Sequence, residues 1–397
     1  MLNNTKIKKY EILYLAAYII YIVLRIINNS LLQFKVPENT TFYTHWIILA
    51  LLSLSFIVRR RFTGKTLRFA MGIVAISLIV YLFNPNVDFL CIIGFIVLCP
   101  FINFERIIKV SIATNTIMII IVYLLCRMNY IEDLLYRHVS FNGISYAHSY
   151  GFVYYSNAPF IILFLSCMVL YFNKSIRTYI ILTIINTIAY FVFTAKLPFV
   201  AYIIMILLSI IMYRPSVVEK TKKILCFLPC VFSIISIGIS LAYTPNNRLI
   251  SSLNVIFNTR ISQGKDGLLR YGLSIFGQPI EMTGSYKATY AWQEGMSNFF
   301  IDNDYIYMLL AYGIIFYLLI LALYSMIIKR YSYNGDIKLL IWSLTTIIFA
   351  LINSTLISVD FNPILLIGVN QIFNQGNKRT RVLPNSIRSY KGHLKRS

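Results

Sequence analysis

The chain has 397 residues, 58% of them hydrophobic and 13% charged, with a formal net charge of +22. One water-soluble core of that length cannot hide so much apolar surface, so lipid must solvate part of it and a soluble globular enzyme is excluded. The positive charge stands beside apolar runs, where it meets anionic lipid headgroups, a placement that argues against nucleic acid as a partner.

A hydrocarbon core about 30 Å thick needs about 20 apolar residues per helical crossing. About twelve runs of that character succeed one another: residues 11–28, 42–58, 67–83, 87–104, 107–126, 158–172, 177–194, 197–213, 224–243, 305–328, 337–358 and 361–373, the fourth, sixth and last being short. They lack the alternation of a membrane barrel, so the expected fold is all-α, a polytopic integral membrane protein. The first run comes after Lys6, Lys8 and Lys9 like a signal peptide, but no small-residue cleavage site succeeds it, and it is expected to stay as the first span.

Lys and Arg in short loops set orientation. With the N-terminus inside, Arg59, Arg60, Arg61, Arg106, Lys109, Lys174, Lys222 and Lys329 are cytoplasmic, and so is the tail from Lys378 to Arg396. Both termini are therefore expected in the cytoplasm. The chain divides into nine spans over 1–243 with a shorter outer segment at 127–157, a large extracellular loop at 244–304, three spans over 305–373, and a basic tail at 374–397 that reads as a lipid-facing anchor. The six cysteines lie in or beside spans without a C-x-x-C pair, so neither a disulfide framework nor a zinc site is indicated.

Long outer connections need a functional reason. In the large loop, Asn247 is placed to cap a helix carrying Leu249, Ile250, Leu253, Ile256 and Phe257, and Gly264 and Gly267 are expected to interrupt the next stretch of chain. Amphipathic helices resting on the membrane face are the expectation. The stretch around Ile275-Phe276-Gly277 reads as irregular, and the aromatics of TGSYKATYAWQEGMSNFF suit either a bilayer interface or sugar stacking.

The outer cations are Arg127, Arg137, Lys196, Arg248, Arg260, Lys265, Arg270 and Lys287. Because the positive-inside rule disfavours them there, an anionic partner is worth proposing; guanidinium groups grip phosphate in a fork and need no metal for it. The alternative is that they pair with Glu132, Asp133, Asp266, Glu281 and Glu294 or with headgroups. Asp302 and Asp304 in DNDYIYMLLAYG fit helix capping and fit a general base equally. A metal-binding D-x-D is rejected, because the nucleotide-sugar enzymes that use it take cytoplasmic donors. His148, in YAHSY, is either a surface histidine or a base, and no Ser-His-Asp, Walker or H-E-x-x-H pattern is present.

This order of features, with a TAK hairpin at Thr194-Ala195-Lys196, a loop containing FNTRISQGKDGLLRYGLSIFGQ and a closing DNDYIYMLLAYG, resembles the Wzy-type polysaccharide polymerases, relatives of the O-antigen ligases, over roughly residues 130–330. In the hairpin Lys196 stands where the family has Arg, which keeps the charge and loses the bidentate fork. Arg260 matches the family's early loop arginine, Asp302-Asn303 its closing polar pair, and RHVSFNGISYAHSYGFVYYSN nominates Arg137, Gly151, Phe152 and Asn157.

The resemblance implies a cofactor-free glycosyltransferase at the outer face of a bacterial cytoplasmic membrane, extending a glycan held on polyprenyl pyrophosphate with inversion. Arg260, Lys196, Arg137 and Arg270 would hold the pyrophosphate, Asp302, Asp304 or His148 would serve as base, and Asn157, Asn303 and Tyr305 would contact substrate. Partners implied are the lipid-linked oligosaccharide, membrane lipids, a flippase and a chain-length regulator. A flippase is the rival reading; it calls for ionisable residues inside spans, for which Arg25 and Asp88, near outer ends, are the candidates. A ligase shares the polymerase layout.

Overall fold

A computed structural model describes residues 7–59, 63–140, 143–282 and 299–373. Apart from one hairpin, its regular elements are helices: α1 (Lys9–Asn28), α2 (Thr40–Arg59), α3 (Gly64–Phe83), α4 (Val87–Leu98), α5 (Phe104–Arg127), α6 (Asn157–Phe172), α7 (Ile176–Phe193), α8 (Lys196–Met212), α9 (Pro215–Leu225) and α10 (Leu228–Ala242). The loop helices α11 (Arg248–Ile256) and α12 (Arg260–Tyr271) come next, then α13 (Asp304–Ala311), α14 (Gly313–Asn334), α15 (Ile337–Phe349) and α16 (Ile364–Phe373).

Among the described residues six helices, α1, α2, α3, α5, α7 and α14, are long and apolar enough to cross a membrane. α8 with α9 makes a seventh only if the two, bent by 114°, count as one span, and α4, α6, α10, α15 and α16 are apolar but shorter. Leu82, Phe191, Ile57 and Ile234 stand exposed on such helices, a surface that requires lipid, and this marks a membrane protein. Tyr14, Tyr18 and Tyr21 of α1 are fully buried, and the rings of Tyr14 and Tyr18 meet Phe95 of α4 edge-on at 5.4 and 5.5 Å.

Two predicted spans are broken by irregular backbone. The run at 305–328 divides at Tyr312, because Gly313 takes a φ of +78° and begins a new helix. The segment at 274–278 lies across that break: Gln278 N–H donates to Ala311 O at 3.2 Å, and Ile314 N–H to Ser274 O at 3.0 Å. Gly277, with φ +92°, faces Gly313 so closely that a Cβ on either would fall 2.3 Å from the other segment's backbone. The run at 337–358 ends as a helix at Phe349, and residues 350–363 form a buried irregular strap before α16. Irregular backbone at such depth is tolerated only where protein satisfies it. Here Tyr18 Oη donates to Val359 O at 2.6 Å, Tyr324 Oη to Leu356 O at 2.8 Å, and Asn362 Nδ2 to Thr355 O at 3.0 Å.

The shorter outer segment holds an antiparallel hairpin not anticipated from sequence, β1 (Leu135–Ser140) and β2 (Gly143–His148), with Arg137 opposite Tyr146. In the large loop Asn247 does cap α11, its Oδ1 accepting from Ile250 N–H at 3.2 Å. The expectation that Gly264 and Gly267 break the chain is corrected: α12 runs through both. They are contact positions, since a Cβ at Gly264 would meet Ile306 of α13 at 2.6 Å and Ser240 of α10 at 2.7 Å, and one at Gly267 would meet Ile301 at 2.5 Å.

Candidate functional site

α11 ends in a tight turn with Asn258 and Thr259 at positive φ, and that turn makes Arg260 the first residue of α12. The Arg260 side chain is driven inward to 6% exposure. Its Nε donates to Ile352 O of the strap at 2.7 Å, its Nη1 to Phe257 O at 3.3 Å, and its Nη2 lies 2.7 Å from Asp302 Oδ2. Asp302 is the more open partner at 31%, so its carboxylate covers the guanidinium on the outer side. Burial pushes the Asp302 carboxyl up from its ordinary value, with Arg260 opposing the rise.

The neighbours of Asp302 have other tasks. Asn303 caps α13, its Oδ1 accepting from Ile306 N–H at 3.4 Å and from Ser236 Oγ of α10 at 2.9 Å. Asp304 is fully buried, and its Oδ2 accepts from two strap amides, Thr355 N–H at 2.8 Å and Leu356 N–H at 2.6 Å. Tyr305, also fully buried, donates Oη to Ile347 O at 2.7 Å. Of the two carboxylates weighed as base, Asp302 opens outward and Asp304 is closed off as an anchor of the strap; the carboxylates two residues apart face different ways because α13 begins between them. Tyr305 and Asn303 are likewise turned to neighbouring elements rather than outward.

Other predicted site residues lie apart from this pair. Lys196 is exposed at the first position of α8, after Thr194 in the left-handed region, and makes no ion pair among the described residues. Arg270 stands at the far end of α12, about 15 Å along the axis from Arg260, its guanidinium 5.0 Å from the Phe299 ring centroid. Arg137 is on β1, and its side chain lies outside the described portion, as do Lys287 and Glu294 entirely. His148 Nδ1 lies 2.6 Å from Asp133 Oδ2, and its ring stacks on Tyr150 at 5.4 Å; the pair makes no hydrogen bond with Arg260 or Asp302. Asn157 begins α6 and donates Nδ2 to Asn29 O at 3.2 Å, while Gly151 O accepts from Leu31 N–H at 2.8 Å and Phe152 is fully buried. That segment thus ties the outer loop to the end of α1.

Sequence reasoning passed over Tyr154 and Tyr155. Burial raises both phenols, with the charges of Arg260 and Asp302 as lesser influences of opposite sign. Their rings lie 4.5 Å apart, and Tyr136 of β1 meets them at 5.0 and 5.6 Å. A run of aromatics beside a polar pair was the available signal, in GFVYYSN.

Arg25 and Asp88, the ionisable residues named as span candidates, are paired at 3.3 Å. His45 Nε2 is 3.3 Å from the other Asp88 oxygen, and Asp360 of the strap lies 3.7 Å from Arg25 Nε. This second group joins α1, α2 and α4 to the strap. Among the described residues no three His, Cys, Asp or Glu side chains gather as metal ligands.

No family model matches the chain. No curated protein and no solved structure matches it.

Proposed function

We propose that the chain polymerises polyprenyl-pyrophosphate-linked oligosaccharide repeats at the outer face of a bacterial cytoplasmic membrane. The observation that carries the reading is the Arg260–Asp302 pair: a guanidinium for the leaving group and a carboxylate for the acceptor hydroxyl, held together at the surface of the large loop. If the shorter helices cross as well and the divided α13–α14 counts once, twelve crossings with both termini in the cytoplasm would leave that pair outside, where lipid-linked repeats are presented.

Pyrophosphate is already a competent leaving group, so the protein needs to stabilise its charge and accept one proton. The acceptor oxygen attacks the anomeric carbon, the bond from that carbon to the pyrophosphate oxygen breaks with its electron pair, and the hydroxyl proton passes to Asp302. Attack opposite the leaving group inverts the centre. Lys196, Arg137, Arg270 and His148 lie outside this minimal set, and a ligase that passes the glycan to a different acceptor would use the same pair.

One observation favours a second reading. The Arg25, Asp88, His45 and Asp360 group, at helix ends facing an irregular strap, resembles the intramembrane charge and broken helices of transporters. Purified protein supplied with a synthetic polyprenyl-pyrophosphate repeat separates the two. Ladders spaced by one repeat, lost in Arg260→Ala, support polymerisation; transbilayer movement of the lipid in vesicles without ladders makes the chain a flippase.

A further inference from the structure

We propose that Asp302 and the donor pyrophosphate are competitors for Arg260, so that donor binding displaces the carboxylate and thereby releases it as the base. The inference rests on the polymerase reading and concerns the regulation of that same site.

Arg260 offers little of itself to a new ligand. Nε is committed to Ile352 O and one of the two Nη1 hydrogens to Phe257 O, both backbone acceptors, whereas Nη2 meets Asp302, a side-chain acceptor. Arg260 is 6% exposed and Asp302 31%, so an anion arriving from outside reaches the carboxylate before the guanidinium. Two anions cannot share one Nη2 at hydrogen-bond distance without strong repulsion in a partly desolvated site. Either Asp302 is protonated or it turns away.

The chain around Asp302 permits the turn. Asn303 is held by Ser236 and Asp304 by the strap, but Asp302 precedes α13 and belongs to no helix. Among the described residues Arg260 of α12 is the cation paired with its carboxylate, and no other described cation is paired with it. A carboxylate parted from its cation binds a proton more tightly. Donor binding therefore raises the basicity of Asp302 at the moment a base is needed, and without donor the base is masked.

The cycle closes with atoms balanced. Pyrophosphate takes Nη2, Asp302 takes the acceptor proton as the new glycosidic bond forms, and the polyprenyl pyrophosphate leaves with the electron pair of the broken bond. Asp302 then gives its proton to water and pairs with Arg260 again.

Binding of farnesyl diphosphate to the full chain in detergent tests the exchange, with ladder formation on repeat-unit lipid read alongside. Asp302→Asn, which removes the competing charge, is expected to bind the probe about tenfold tighter while losing ladders. Wild-type affinity is expected to rise by more than the variant's as pH falls through the raised Asp302 value, because protonation of Asp302 also removes the competitor. Should Asp302→Asn fail to fold, that rise in the wild type, set against free-probe titration, decides alone. Equal or weaker binding by Asp302→Asn, with Arg260→Ala unable to bind, overturns the exchange and leaves Arg260 as the pyrophosphate ligand. Full binding by Arg260→Ala overturns the reading beneath it.

Discussion

The guanidinium of Arg260 and the carboxylate of Asp302 meet at 2.7 Å, although one opens α12 and the other stands two residues before α13, 42 residues further along the chain. The backbone carbonyl of Ile352, between α15 and α16, fixes the arginine from below. Three distant parts of the chain thus converge on one ion pair.

Loss of that convergence has a measurable size. On the proposed polymerase reading, Arg260→Ala is expected to lower polymerisation by about 10²–10³, the range seen when one preorganised group for developing negative charge is removed. Arg260→Lys should recover only part, since an ammonium keeps the charge without the fork. Ladder yield at fixed time, against protein of equal thermal stability, checks both.

The pH dependence comes from the direction of the Asp302 shift. Burial raises this carboxyl, so the folded chain favours its protonated form and its ionised form is the less stable one. Through this group alone, stability falls as pH rises from the unfolded value through the folded one. With Asp302 as the proposed base, activity requires the ionised form and is expected to fall as pH drops through that same raised value. The acid limb of the rate profile should lie above about 3.9, the ordinary aspartate value, and Asp302→Asn should remove it together with most of the rate.

Asp304 should behave as an anchor. Asp304→Ala leaves Thr355 N–H and Leu356 N–H of the strap without their acceptor, an expected loss of about 2–4 kcal/mol for two buried donors. Asp304→Asn retains a carbonyl oxygen and should cost less. Thermal unfolding in detergent ranks the two, and equal losses would mean that the charge rather than the hydrogen bonds is what the strap requires.

Gly313→Ala should be costly for two independent reasons. The positive φ disfavours any side chain by about 1–2 kcal/mol, and the new Cβ would lie 2.3 Å from Gly277 N. A comparable loss is expected for Gly277→Ala, while Gly72→Ala, where the added carbon meets nothing within 4 Å, should leave the melting temperature almost unchanged.

Helical character and the loop cap at Asn247 were legible because apolar runs and capping residues are local signals. Arg260 and Asp302 were both legible as candidates, the first as a cation on the disfavoured side and the second as an outer carboxylate. Their contact was not legible, since it depends on a turn at Asn258-Thr259 and on the close seating of α12 by Gly264 and Gly267, glycines that a local reading takes for breaks. Asp304 looked equivalent to Asp302 because spacing says nothing of what stands opposite; the strap amides that claim it come from residues 355 and 356. The hairpin was missed for a related reason: its strands are short and their pairing is with each other rather than with a sheet.

The strap also sets a timetable for biogenesis. Tyr18 donates to Val359 across 341 residues of sequence, and Asn370 Nδ2 to Ile102 O across 268. At a synthesis rate of about 5–20 residues per second, α1 enters the bilayer about 20–70 s before its acceptor exists. During that interval the Tyr18 hydroxyl and the Arg25 guanidinium lack their partners on the strap. Nascent α1 therefore needs interim shelter from lipid, by the insertion machinery or by the headgroup layer, and premature termination before residue 359 would leave that need permanent, a defect recognisable to membrane quality control.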